Sequence, residues 1–140
     1  MADSENWILK YYQAIKDGSV TVGHWIHLLY ERIIQDLENR VYFFDQKKAN
    51  RVISFFENFC HHSKGKLAPQ LVKLELWQKA LLSCAFGLVD KDDVRIYREV
   101  LVVMGRKNGK RLLASGIAEY TAYADGERGA DCYFLAPKLD

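Results

Sequence analysis

The chain has 140 residues, 49% of them hydrophobic and 13% aromatic, enough apolar material for one packed domain and too much for a disordered chain. A formal charge of +2 is too small to announce a polyanionic partner by itself, so any basic site has to be local. Cys60, Cys84 and Cys132 are odd in number and far apart, which gives no disulfide framework and fits three free thiols in a reducing compartment.

The first residues, Met1–Glu5, are acidic, unlike the basic start of a secretory signal. Ser4 or Asp3 is positioned to cap a first helix that runs to about Lys16, with Trp7, Tyr11, Ala14 and Ile15 along one face. Asp17-Gly18 stops it. Val22–Arg40 repeats the helical period, with Ile26, Leu29, Tyr30, Ile33 and Leu37 three or four apart. Tyr42–Asp45 connects to a third helix over about Lys47–His61, which should turn Val52, Phe55, Phe56 and Phe59 inward. Ser63–Lys66 is a loop, closed by Pro69, and a fourth helix spans Glu75–Phe86 with Gly87 as its C-cap. The longest apolar stretch, Ala80–Val89, is broken by Ser83 and Gly87 and is too short to cross a bilayer, so a soluble intracellular protein is expected.

The pattern changes at Ile96–Met104. Val100-Leu101-Val102-Val103-Met104 is apolar without a break and ends at Gly105, as a strand buried on both faces of a parallel sheet would. A helix follows Gly109, with Leu112, Leu113, Ile117 and Tyr120 on one stripe, and ends near Asp125-Gly126. Asp131–Ala136 reads as a second short strand, ended by Pro137. The expected fold class is therefore α/β: an N-terminal helical region over residues 1–92, then from residue 93 the first β–loop–α–β unit of a phosphate-loop NTPase, with an incomplete sheet.

Gly105-Arg106-Lys107-Asn108-Gly109-Lys110-Arg111 lies between that strand and that helix, the context a phosphate loop requires. Glycines let backbone N–H groups approach an anion, the helix start offers unpaired N–H groups and a positive dipole end, and Lys110 adds a full charge where β- and γ-phosphates would lie. The loop departs from the usual pattern twice. Three residues separate Gly105 and Gly109 instead of the usual four, and Arg111 replaces the Ser or Thr after the lysine.

The segment Val102–Lys110 resembles the deviant Walker A motif of phage terminase large subunits, where Arg-Lys-Asn-Gly-Lys is followed by Ser or Thr. Leu74-Glu75-Leu76-Trp77-Gln78-Lys79 is similar to that family's segment upstream of the ATPase strand, with its Trp-Gln pair. Phe86–Val89, Arg98-Glu99-Val100 and Ala124–Ala130 continue the resemblance, as do Tyr42–Asp45 and His62–Gly65 upstream, so it covers about Tyr42 to Pro137. It implies the N-terminal part of an ATP-driven motor that packages double-stranded DNA into procapsids. ATP and Mg²⁺ are the implied cofactors. Double-stranded DNA, the portal protein, the terminase small subunit and other copies in a ring are the implied partners, at the procapsid portal in the host cytoplasm. By position, Lys110 would bind the phosphates, Arg106 would touch the γ-phosphate and stabilise charge in transfer, and Gln78 would contact the adenine edge. Gly105, Lys107, Asn108, Gly109 and Arg111 complete the implied nucleotide-binding set, Asn108 and Gly109 through backbone donors.

Arg111 stands where the family's Mg²⁺ ligand would be, and Ser115 lies a turn too far along the helix to replace it. The acidic Walker B strand, the catalytic glutamate and the nuclease carboxylates are not found in these residues, so a fragment that binds nucleotide at most is expected. The alternatives are a piece of another phosphate-loop ATPase such as a helicase, or a non-enzymatic interaction module. Trp77 reads as core, the His24/His27 and His61/His62 pairs lack further ligands at metal spacing, and Lys64, Lys66 and Lys73 read as solvated surface.

Overall fold

A computed structural model describes residues 5–62, 66–126 and Tyr133. The described residues form a mixed α/β structure of five helices and a two-stranded antiparallel sheet. Helix α1 is Trp7–Lys16, α2 is His24–Glu38, α3 is Gln46–Phe59, α4 is Leu76–Gly87 and α5 is Lys110–Tyr123. Strand β1, Phe43–Phe44, pairs with β2, Leu88–Val89, through Phe43 opposite Val89 and Phe44 opposite Leu88.

Local chemistry explains most helix boundaries. The expected caps Ser4 and Asp3 lie outside the described residues, and Asn6 caps α1 instead, its side chain accepting from the Leu9 N–H at 3.1 Å. Gly18, at φ 80, turns the chain out of α1 in the left-handed conformation that glycine adopts without strain. Asp45 caps α3, one carboxylate oxygen accepting from the N–H groups of Lys47 and Lys48. Glu75 and Gln78 close α4 with a reciprocal capping box. Gly87 is the last residue of α4 and Leu88 caps it, so the expected glycine cap is displaced by one position.

Helix α4 is the axis of the molecule. Leu82 and Phe86 enter a cluster with Val52, Ile53 and Phe56 of α3, while Ala80 and Cys84 enter a second cluster with Ile8, Tyr11, Tyr30 and Ile33 of α1 and α2. Apolar residues all round its circumference suit a helix enclosed on all sides. Trp77 packs against both clusters, as its reading as core predicts. Burial pushes the Cys84 thiol up to about 12, against a smaller opposing effect of its hydrogen bond with Tyr30, so it stays protonated and unreactive at neutral pH. Ser83 is fully buried in the same helix, and its hydroxyl has no partner among the described residues. An unsatisfied buried hydroxyl costs about 1–3 kcal/mol. Ser83→Ala is accordingly expected to raise the melting temperature by several degrees, and a lower melting temperature on calorimetry would show that the hydroxyl is paired in solution.

Helix α5 docks on the α3 side. Leu113 and Tyr120 are buried there, the Tyr120 ring meets Phe86 edge-on at 5.2 Å between centroids, and Gly116 lies directly against the Phe56 ring. Its far end is tied down by Asp125, which is ion-paired with Arg95, whose guanidinium stacks over Phe86 at 4.7 Å.

Three expectations need correction. The early part of α2 is not inward: Trp25 is 80% exposed, and Ile26, Leu28 and Leu29 are also exposed, so only Tyr30 and Ile33 of that stripe are buried. Phe59, on the last turn of α3, is exposed rather than inward. The strand expected over Ile96–Met104 does not form. Ile96 still donates to the Leu88 carbonyl at 3.0 Å, but Arg98–Gly105 belongs to no ladder, and Leu101 and Val103 are 91% and 86% exposed. Val102 and Met104, which alternate with them, are half-buried and line the larger cleft, a period-two alternation rather than burial on both faces. A strand needs hydrogen-bonding neighbours from elsewhere in the chain, and the described residues supply none at this segment. The second expected strand, Asp131–Ala136, lies outside the described residues except for Tyr133, as does Cys132. Of the expected β–loop–α–β unit, the described residues show a helix after the basic segment and no first strand.

Candidate functional site

Gly109 sets the geometry of the candidate loop. At φ 73 and ψ 4 it is left-handed, and it is the N-cap of α5, so the chain passes directly from a glycine turn into a helix. Lys107 also has positive φ, at 66, a conformation that an L side chain adopts only under constraint. Gly105 does not use a left-handed conformation, and its role is closeness instead: a Cβ there would stand 3.3 Å from Asn108 Nδ2, which donates to the Gly105 carbonyl at 3.4 Å. Lys110 Nζ donates to the Met104 carbonyl at 3.3 Å, folding the ammonium back over the loop it follows.

Electrostatically the loop is unbalanced. Arg106, Lys107, Lys110 and Arg111 are all exposed, and none is ion-paired with a described residue. Two of them occupy the first turn of α5, which has no acidic residue and no side-chain cap. A cation at that positive end of the helix dipole costs about 0.3–1 kcal/mol, where an anion would gain a similar amount. Lys110 and Arg111 therefore oppose the dipole of the helix that they begin.

Gln78 comes to this loop from the first turn of α4. The side chain is 8% exposed, and its Oε1 accepts from the Glu75 N–H at 2.8 Å within the capping box. Its Nε2 lies 3.6 Å from where a Cβ on Gly109 would stand and has no hydrogen-bond partner among the described residues. Gln78, Lys107, Asn108 and Gly109 line one cleft of about 1010 Å³, whose apolar wall includes Tyr11 and Leu29. Burial raises the Tyr11 hydroxyl above its ordinary range, so that wall is neutral at physiological pH. Lys110 faces a second cleft of about 510 Å³, on the other side of Val102, with Arg95 and Arg98. Gly105, Arg106 and Arg111 line neither cleft. Of the expected site, then, Gln78 and the loop centre are brought together, and the two expected catalytic residues are not: Lys110 lines the other cleft and Arg106 lines neither.

The walls from α1 and α2 had one sequence signal: the apolar stripe of α2 is longer than its burial requires, and Leu29 belongs to the excess. Mg²⁺, implied by the resemblance, does not fit the side chains present. Arg111 offers donors and no acceptor where an oxygen ligand is needed, and among the described residues no three His, Cys, Asp or Glu side chains gather to hold a metal. Among the described residues, no helix is long and apolar enough to cross a membrane. In comparison with known proteins, the chain matches no family model, no curated protein and no solved structure.

Proposed function

We propose that this chain is the N-terminal part of a phage terminase large subunit, a motor that packages double-stranded DNA into procapsids at the expense of ATP, and that its own share of that activity is binding the nucleotide. The observation that supports the reading best is the approach of Gln78 to Gly109, because it joins the two segments that carry the resemblance, distant in sequence, in one cleft. In this reading the adenine lies toward Gln78 and the phosphates lie over Gly105–Lys110. The backbone N–H groups at the start of α5 receive the phosphate oxygens, and Lys110 leaves the Met104 carbonyl for a stronger, charge-assisted partner. Arg106 swings onto the terminal phosphate. Double-stranded DNA, the portal protein, the small subunit and neighbouring copies are the partners this function would require.

The test is titration of the chain with ATP beside the Lys110→Ala variant. A charge-assisted hydrogen bond contributes about 1.5–3 kcal/mol, so the variant is expected to bind about tenfold more weakly or worse. Lys110 is exposed, and its removal leaves the fold intact, which circular dichroism checks. Equal affinities for the two proteins would reject the loop as a phosphate site.

A further inference from the structure

The run Arg98–Val103 has strand-forming residues and no ladder. Val100, Val102 and Val103 are β-branched, and among the described residues the backbone of the run makes no backbone–backbone hydrogen bond. Leu101 and Val103 are almost fully exposed and Val102 is half-buried between them, the alternation of a strand. Open space adjoins the run: Leu101 and Val103 line the larger cleft, and Arg98 and Val100 line the smaller. Unpaired peptide groups beside exposed apolar side chains make an edge that another strand can complete, with main-chain hydrogen bonds giving affinity and side chains giving specificity.

Charge indicates which strand. Glu99 precedes the apolar run and Lys107 follows it; both are exposed, and neither is ion-paired with a described residue. In a period-two alternation Glu99 shares the face of Leu101 and Val103, and Lys107 lines the same cleft as those two residues. One face of the run therefore has an acid at one end and a base at the other. A second copy laid parallel and in register sets Glu99 beside Glu99 and Lys107 beside Lys107, which opposes pairing. A copy laid antiparallel and centred near Val103 brings Glu99 of each chain to Lys107 of the other. Two-fold symmetry makes that contact twice. In the same register Arg98 falls toward Asn108, away from the other arginines of the loop.

We infer that Val100–Met104 is an interface between two copies of this chain, paired antiparallel through the same segment, with Glu99 of each protomer facing Lys107 of the other. The inference is independent of the nucleotide reading, because it uses neither Gln78 nor the N-terminus of α5.

Sedimentation of the chain over a concentration series, for the native sequence and three variants, tests this. The native chain is expected to dimerise. Glu99→Lys and Lys107→Glu are each expected to weaken association about tenfold, because either change puts two like-charge contacts into the pair. The double variant exchanges the charges and is expected to return to within about threefold of the native affinity, as coupled neighbours do. A native chain that remains monomeric overturns the inference. Association unchanged by both single variants overturns it too, because the contact then lies elsewhere. A double variant no tighter than the weaker single variant overturns the antiparallel pairing of Glu99 with Lys107. Both residues are exposed, and circular dichroism checks that the variants keep the native fold.

Discussion

Gly116→Val is expected to destabilise the protein by about 3 kcal/mol and to lower its melting temperature by roughly 10 °C. Gly116 is where α5 meets α3, and a Cβ built on it would overlap the Phe56 ring. That ring is fully buried among Val52, Leu82, Phe86 and Leu113, so it has no empty space to move into. Valine adds two further carbons at the tightest contact between the helices. It also gains less from leaving glycine than alanine would, because β-branching costs rotamer freedom within a helix. A double-mutant cycle isolates the cause. Phe56→Leu frees volume at the same point, and in that background the valine should cost much less. Penalties that simply add would show that α5 does not rest on Phe56. The outcome also bears on function, because the docking of α5 fixes where Gly109 and the loop before it stand relative to Gln78.

The second large effect concerns association. At low micromolar concentration the native 140-residue chain is expected to sediment as dimers or larger species, and Leu101→Lys combined with Val103→Lys should return it to a monodisperse monomer. Both side chains are almost fully exposed. Among the described residues, the backbone of Arg98–Val103 makes no backbone–backbone hydrogen bond, so the segment offers donors, acceptors and a row of apolar side chains together. An apolar segment with unused backbone groups is a template for pairing with another chain, and lysine on its exposed positions blocks this at little cost to the fold. Val102 and Met104, which are half-buried, are left in place. A native chain that sediments as a monomer would mean that this segment is covered in solution by something other than a second copy.

Most of what is local was legible in the residues. Asp17-Gly18 and the periodicity of α1, α3 and α5 located helices to within a residue or two, because glycine conformations and a 3.6-residue repeat act over a few positions. The misplaced α1 cap is of the same kind: Asp3, Ser4 and Asn6 all have a suitable side chain, and the difference between them is not encoded in side-chain type. The basic loop and its position ahead of a helix were equally legible, since the charges of Arg106–Arg111 and the freedom of Gly109 need no distant partner to be recognised.

What depended on distant partners was decided by the tertiary structure. The sequence Val100–Met104 has strand propensity, yet a strand is stabilised by a ladder with another segment, and in its absence the same residues stand half exposed. The face of α2 is another case: a stripe marks which residues prefer burial, but only packing decides that Tyr30 and Ile33 obtain it while Ile26 and Leu29 do not. Gln78 shows the effect on the site. Its sequence position gave a polar residue on an amphipathic helix. The fold spends one amide atom on the cap of α4 and turns the other toward Gly109, because α4 is enclosed by the helices around it and α5 starts at that glycine. By itself, then, the sequence determined the helices and the charge of the loop, which arise from interactions across a few residues. The unpaired strand segment, the walls of the cleft and the meeting of Gln78 with the loop were decided by contacts between elements far apart in the chain, whose energies no local pattern contains.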